Sequence, residues 1–137
     1  MFRIETAKPY PENYKECVEV ARKELAANAR PQLKADAANF DGYATIFIGY
    51  PIWCGEMPMA VYSFIEKHNF AGKTVVPFCT NEGSGLAGTE QELKSACKGA
   101  KVLKGLAVRG AAAQNSQNEA RGEVTDWLKG LKITKTN

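Results

Sequence analysis

Two loops of this sequence hold residue types that could bind a flat aromatic ring. The stretch TIFIGYPIWCGEMP, residues 45–58, carries an apolar run into a turn that contains Trp53, and TNEGSGLAG, residues 80–88, is a glycine-rich loop. An indole can lie against a planar heteroaromatic ring, where offset stacking adds ~0.5–1.5 kcal/mol beyond area burial. Glycines let backbone N–H and C=O groups approach ring heteroatoms without a Cβ in the way. The residues alone also allow Trp53 to be an apolar plug and the glycines to be simple turn formers.

Four segments of the chain have the pattern of β-strands. Thr45–Gly49 and Thr74–Cys79 are nearly continuous apolar runs, as expected for strands covered on both faces. Phe2–Thr6 alternates apolar and polar residues, which predicts a half-exposed strand. Lys101–Val108 predicts a last strand, with Gly105 marking a bend or bulge.

Apolar residues at helical spacing predict four helices between and after these strands. The first begins at about Asn13 and carries carboxylates in its first turns, at the positive end of the helix dipole. A second covers residues 57–68, and a short third covers 89–97. Asn115 and Ser116 offer caps for the last helix, whose apolar face holds Val124, Trp127, Leu128 and Leu131.

Helices and strands alternate along the chain, which is the pattern of β–α–β units and of a parallel sheet covered on both sides. We therefore predict an α/β fold in a single domain, residues 1–137. In such sheets ligands bind at the carboxyl ends of the strands. Because both loops follow strands at that edge, we expect them to be neighbours. Pro77 is unusual in a central strand and predicts a bulge beside this edge.

Metal ligands and nucleophile–base pairs are scarce in the sequence. The four cysteines, at positions 17, 54, 79 and 97, form no C-x-x-C pair, and His68 is the one histidine. Zinc and iron–sulfur sites need clustered ligands, so we predict no metal site. A disulfide framework is not expected without a secretory signal. A hydrolase is disfavoured because no glycine-flanked nucleophile stands where an elbow motif requires it.

The charge balance does not indicate a nucleic-acid or membrane partner. The formal net charge is +3, and Lys129, Lys132 and Lys135 near the C-terminus suit a solvated helix end. Binding to nucleic acid would need denser basic residues interleaved with aromatic ones. No apolar run approaches the ~20 residues of a membrane span. Since no targeting segment is visible, we expect a cytoplasmic protein.

Residues 43–88, YATIFIGYPIWCGEMPMAVYSFIEKHNFAGKTVVPFCTNEGSGLAG, followed by GLAVRG, resemble the flavodoxin-like family. That family carries the motifs Y-x-x-I-x-I-G-x-P-x-W-x-G-x-x-P and P-F-x-T-x-x-G-S-G. The resemblance implies a three-layer αβα sandwich with a parallel sheet that binds FMN non-covalently. It also implies that two loop segments flank the isoalloxazine ring: Pro51, Ile52, Trp53, Cys54, Gly55 and Glu56 from the first, and Thr80, Asn81, Glu82, Gly83, Ser84 and Gly85 from the second.

The function implied by the resemblance is that of an electron carrier or an FMN-dependent oxidoreductase, with no catalytic side chain and an unidentified redox partner protein. Cys54 stands where the family often has an aromatic residue, and Asn81 stands where it often has histidine. The redox properties of a bound flavin should therefore differ from those usual in the family. Glu56 is either a charge near the ring or an acidic residue that opens the next helix. Arg109 is either a surface residue or a ligand for an anion.

The start of the sequence departs from the family pattern. Flavodoxin-like chains begin with a buried strand and a Ser/Thr-rich phosphate loop, and Met1 here falls just before the family's second strand. In the order 2-1-3-4-5 this leaves a gap of about 10 Å, two strand spacings, between Phe2–Thr6 and Thr45–Gly49. Phe2–Thr6 could close it, another chain could fill it, or the edge could face solvent. We therefore expect a homodimer and an incomplete or rebuilt phosphate site. The alternative is a flavin-free interaction module.

Overall fold

The computed structural model describes residues 1–133, so Lys135 of the C-terminal lysine group lies outside the described residues. The elements, in chain order, are α1 (Tyr14–Ala26), a 3₁₀ turn (Phe40–Gly42), β1 (Thr45–Pro51), α2 (Met59–Glu66), β2 (Thr74–Asn81), α3 (Thr89–Ala96), β3 (Lys101–Val102), β4 (Leu106–Arg109), α4 (Gly110–Asn115) and α5 (Gln117–Leu131). Asn13 caps α1, where its Oδ1 accepts a hydrogen bond from the Glu16 N–H at 3.2 Å. The predicted α/β class with a parallel sheet is confirmed.

β2 lies at the centre of the sheet. β1 pairs with one edge of β2 from Thr45↔Thr74 to Pro51↔Thr80, and β3 and β4 pair with the other edge. All of these pairs are parallel. The predicted strands over 45–49 and 74–79 are confirmed, and each continues to the residues that open its loop.

The prediction of a strand over Phe2–Thr6 was wrong. Thr6 makes only an isolated antiparallel bridge with Leu33, and residues 2–5 are not in a strand. The neighbouring backbone bonds, Ala7 N–H to Gln32 C=O and Lys34 N–H to Glu5 C=O, are both 2.8 Å. These bonds hold the segment against residues 32–34, so it does not close the gap beside β1.

One face of the sheet carries the core, and the other is only partly covered. Ile48, Tyr50, Val75 and Cys79 point to the first face, where they pack in one cluster with buried side chains of α2 and α3. On the second face Phe47 is 45% and Phe78 40% exposed. The expectation that β1 is covered on both faces was therefore wrong, because its residues alternate between buried and exposed positions.

The second face is lined by an aromatic group. A Cβ on Gly49 would lie 2.3 Å from the Phe78 ring, so only glycine leaves room for that ring against β1. The Trp127 ring of α5 lies 6.1 Å from the Phe47 ring and 6.3 Å from the Phe78 ring. α5 has no buried residue, and Leu128, predicted on its apolar face, is 44% exposed.

The predicted last strand is split into β3 and β4, with an interruption over residues 103–105. β2 residues alternate in direction: Thr74 N–H bonds to Ala44 C=O on the β1 side, whereas Val75 C=O accepts from Leu103 N–H on the other side. By this alternation Pro77, which has no N–H, faces the break. A Cβ on Gly105 would lie 3.0 Å from the Pro77 carbonyl oxygen. The strand is thus interrupted at Gly105, where a bend or bulge was predicted.

The bulge expected at Pro77 itself is not present, because the β1–β2 register runs through Ile48↔Pro77 without interruption. The cap expected at the last helix also differs. Ser116 occupies the N-cap position of α5, but its side chain makes no capping hydrogen bond. The short helix α4 immediately before it was not predicted.

Candidate functional site

The two loops singled out in the sequence lie side by side at the carboxyl ends of β1 and β2. Pro51 pairs with Thr80, and the Ile52 N–H donates to the Thr80 carbonyl oxygen at 3.0 Å. The first residues of the two loops are therefore in direct contact. Ile52 is half-buried against the core, whereas Thr80 is exposed.

Residues 53–56 form a tight hairpin. Trp53 N–H donates to Glu56 C=O at 2.8 Å, and Glu56 N–H donates to Trp53 C=O at 3.0 Å. Both central residues have positive φ, 54° at Cys54 and 79° at Gly55, as in a type I′ turn. Within the described residues, the backbone N–H and C=O groups of Cys54 and Gly55 make no hydrogen bond, and both residues are exposed.

The Trp53 indole is half-buried, and Tyr10 covers one of its sides. The two rings meet edge to face with centroids 5.0 Å apart. The Tyr10 hydroxyl donates to Glu24 of α1 at 2.8 Å, and burial together with the Glu24 carboxylate raises the pKa of Tyr10. Tyr10 was not predicted from the sequence, where its one signal is an aromatic residue between two prolines, Pro9 and Pro11.

Glu56 is held by neighbours at the start of α2. Its Oε1 accepts from Met57 N–H at 2.8 Å and from the Tyr62 hydroxyl at 3.0 Å. Burial and this carboxylate raise the pKa of Tyr62. Arg30 lies over the Tyr62 ring, 5.0 Å from its centroid. The contacts of Glu56 are those of a residue that organises the entry to a helix.

Asn81 organises the second loop from a buried position. Its Oδ1 accepts hydrogen bonds from Gly83 N–H at 2.8 Å and Gly85 N–H at 3.2 Å, while its Nδ2 donates to Val108 C=O at 3.2 Å. The Cys79 thiol donates to Gly85 C=O at 3.5 Å. Gly83 and Gly85 have φ values of 124° and 61°, which favour glycine. The amides of both glycines are thus used within the loop.

Within the described residues, the side chains of Glu82 and Ser84 take no part in the hydrogen bonds that shape the loop. Glu82 turns towards β4 and α4, where its Oε1 accepts from Ala111 N–H at 2.9 Å and its Oε2 lies 3.8 Å from Arg109 Nη2. Ser84 is exposed and makes no hydrogen bond within residues 1–133. A Cβ built on Gly83 or Gly85 would meet no atom within 4 Å, so the loop faces open space.

A family model described as Flavodoxin matches residues 2–129 of this sequence. The chain belongs to the flavodoxin family. Two Bacteroides crystal structures, both of candidate flavoproteins, are similar to this flavodoxin-family chain. The B. uniformis protein shares 31% identity, with a TM-score of 0.71 over 88% of this chain and 80% of its own. The B. eggerthii protein shares 28% identity, with a TM-score of 0.73 over 97% of this chain and 81% of its own.

A third structure shares the fold at lower identity. It is a flavoprotein of Lactobacillus acidophilus in complex with FMN, 18% identical, with a TM-score of 0.64 over 84% of this chain and 77% of its own. No curated protein matches this sequence. The described part of this flavodoxin-family chain contains no group of three or more His, Cys, Asp and Glu residues placed to hold a metal ion. None of its described helices has the length and apolar character needed to cross a membrane.

Proposed function

We propose that this flavodoxin-family chain binds FMN between the Trp53–Glu56 hairpin and the Asn81–Gly85 loop, and acts as an electron carrier or oxidoreductase. The bound flavin would supply the redox chemistry through its isoalloxazine ring. The observation that carries the proposal is the direct hydrogen bond between the two loops, Ile52 N–H to Thr80 C=O. It makes them adjoining walls of one edge, where ligands of parallel α/β sheets bind.

The residues present fit the ring part of the cofactor. The free N–H and C=O groups of Cys54 and Gly55 are donors and acceptors for a ring edge, and no atom lies within 4 Å of a Cβ built on Gly55. The half-buried Trp53 indole offers an apolar wall. Asn81 would act through the loop that it shapes, since its own polar atoms are already bonded.

The phosphate part of FMN finds less support among residues 1–133. Arg109 is the basic residue at the end of β4, and it lies 3.8 Å from Glu82, which offsets its charge. Charge-assisted hydrogen bonds to a phosphate contribute ~1.5–3 kcal/mol each. We therefore propose that ring contacts dominate, so riboflavin and FMN bind this chain with affinities within about threefold of each other.

Titration of the purified protein with each flavin tests this proposal. Binding should quench flavin fluorescence and give a structured visible band. Trp53→Ala should weaken FMN binding by roughly threefold to tenfold from the loss of stacking alone. Trp127→Ala is the matched control, since Trp127 lies on the opposite face against Phe47 and Phe78. A free-flavin spectrum at saturating protein would reject the proposal, and tight binding of FMN but not riboflavin would reject its phosphate part.

A second candidate function, a flavin-free interaction module, is favoured by one observation. The Gly83 and Gly85 amides and the Gly85 carbonyl already have partners inside the loop, so fewer backbone groups remain for a ring. The flavin titration separates the two functions.

A cytoplasmic location and a homodimer remain predictions. Self-association through the half-exposed Phe47 and Phe78 side chains would appear in light scattering at micromolar concentrations.

A further inference from the structure

Tyr10 lies outside both loops of the candidate site, yet its ring contacts Trp53 in the hairpin. The two ring planes meet at 86°, with centroids 5.0 Å apart. We propose that Tyr10 is a positioning residue, which fixes the Trp53 indole before flavin arrives. This role rests on the proposed binding of flavin beside Trp53, and the last experiment distinguishes a failure of the role from a failure of flavin binding.

The hydroxyl of Tyr10 is held by α1. It donates to Glu24 Oε2 at 2.8 Å, and both residues are half-buried. Because this bond joins the tip of the phenol ring to a helix, it fixes the direction in which the ring points from its own backbone. The ring edge that meets the indole is fixed with it.

The backbone of Tyr10 is restricted as well. Pro11 disfavours helical backbone at the residue before it, so Tyr10 is kept extended. Hydrogen bonds hold the connection on both sides, since Ala7 N–H donates to Gln32 C=O at 2.8 Å and the Asn13 side chain caps α1. The phenol ring is therefore a rigid support for the indole.

The indole has little free space on the side of α1. Trp53 borders a gap of about 10 Å³, whose lining includes Ala21 and Leu25 of α1 and Met57 before α2. A space of this size holds at most one water molecule, so the indole cannot turn into it. Removal of the Tyr10 ring would open a larger space beside the indole and let it move.

A fixed indole favours binding because a ligand then does not have to order it. Ordering a mobile side chain at a binding site reduces affinity. Since Tyr10 acts through Trp53, its removal should cost no more than removal of the indole itself. We expect Tyr10→Ala to weaken FMN binding by roughly twofold to fivefold, within the range expected for Trp53→Ala.

The mobility of the indole can be measured without flavin. The chain has two tryptophans, so a Trp127→Phe background leaves Trp53 as the only one. In time-resolved fluorescence anisotropy, Trp53 should turn with the whole molecule when Tyr10 is present. In Tyr10→Ala a faster motion of the ring itself should appear, on the nanosecond scale or below. Tyr14→Ala is the matched control, since Tyr14 is 82% exposed.

Two milder variants separate the aromatic ring from its bulk and its hydroxyl. Tyr10→Phe keeps the ring against the indole and loses the bond to Glu24. It should restore most of the Trp53 anisotropy and bind FMN within about twofold of the wild type. Tyr10→Leu keeps apolar bulk without a flat ring and should behave like Tyr10→Ala. If Tyr10→Ala does not fold, Tyr10→Leu decides in its place.

A double-mutant cycle tests whether Tyr10 acts through Trp53. In a Trp53→Ala background, Tyr10→Ala should not weaken FMN binding further, because the ring that Tyr10 holds is already absent. An equal loss of affinity in both backgrounds would overturn the role. Unchanged Trp53 anisotropy in Tyr10→Ala would also overturn it.

The same titrations separate this role from the proposed function. If the wild type binds no flavin, the proposed function fails and the role in binding falls with it, even where the anisotropy shows that Tyr10 holds the indole. If the wild type binds FMN and Tyr10→Ala binds it equally well, only the positioning role fails.

Discussion

Replacement of Asn81 by alanine should destabilise the protein strongly, although the residue lies in a loop. The Asn81 side chain is 8% exposed and makes three hydrogen bonds, two from glycine amides and one to Val108 C=O. At ~0.5–1.5 kcal/mol each, the loss of three bonds gives a decrease of about 3 kcal/mol in the free energy of unfolding. Asn81→Asp keeps the two accepted bonds but sets a carboxylate oxygen against the Val108 carbonyl oxygen in place of the Nδ2 donor, so its loss of stability should grow as the pH rises and the carboxyl group ionises.

Urea unfolding followed by circular dichroism measures these differences, with the slope m compared between variants to confirm a common unfolding reaction. Ser84→Ala is the matched control in the same loop, since Ser84 is exposed and makes no hydrogen bond within the described residues. Its effect should stay within about 0.5 kcal/mol. The reasoning is refuted if Asn81→Ala falls in the same range as Ser84→Ala, or if the stability of Asn81→Asp relative to the wild type does not change with pH.

Three further predictions concern other parts of the chain. Cys54→Asn should raise the unfolding free energy by about 0.5–1 kcal/mol over Cys54→Ala, because asparagine tolerates the left-handed φ of 54°; equal urea midpoints would contradict this. Gly49→Ala should cost ~1–3 kcal/mol by displacing the Phe78 ring, and adding Phe78→Ala should recover part of it; strict additivity would contradict it. The His68 hydrogen bond lowers the pKa of Asp36 below its ordinary 3.8. The stability that ionised Asp36 contributes is therefore complete above that pH and is lost as the pH falls through the lower pKa of the folded state. The Tm difference between wild type and Asp36→Asn should vanish in acid, and a difference that stays constant with pH would contradict this prediction.

The sequence predicted the elements whose pattern is local. β1, β2 and α1 were found because apolar runs and a capped amphipathic face are read within a few residues. Phe2–Thr6 has an equally good strand pattern, yet it does not join the sheet. Strand pairing depends on a partner far along the chain, and alternation alone cannot show whether that partner is reached.

The arrangement of the candidate site was predictable in part, from topology and not from local pattern. Adjacency of the two loops followed from the parallel order of β1 and β2, which is a rule of topology. The roles of Asn81 and Tyr10 were not predictable, because they depend on side-chain geometry. Asn81 bonds to glycines of its own loop, and Tyr10 reaches Trp53 from a segment more than forty positions earlier in the sequence. The Asn81 bonds depend on the conformation of the loop, and the Tyr10 contact depends on how distant backbones are placed.

Pro77 and Gly105 sit opposite each other, and each breaks a rule that strands normally obey. Pro77 has no backbone N–H at the place where the neighbouring strand is interrupted, and glycine at position 105 leaves room for the Pro77 carbonyl oxygen. In evolutionary terms the two positions should covary. In a relative that has another residue in place of Pro77, one continuous strand in place of the break at Gly105 would be favoured. Such relatives would carry a longer and stiffer sheet edge on that side.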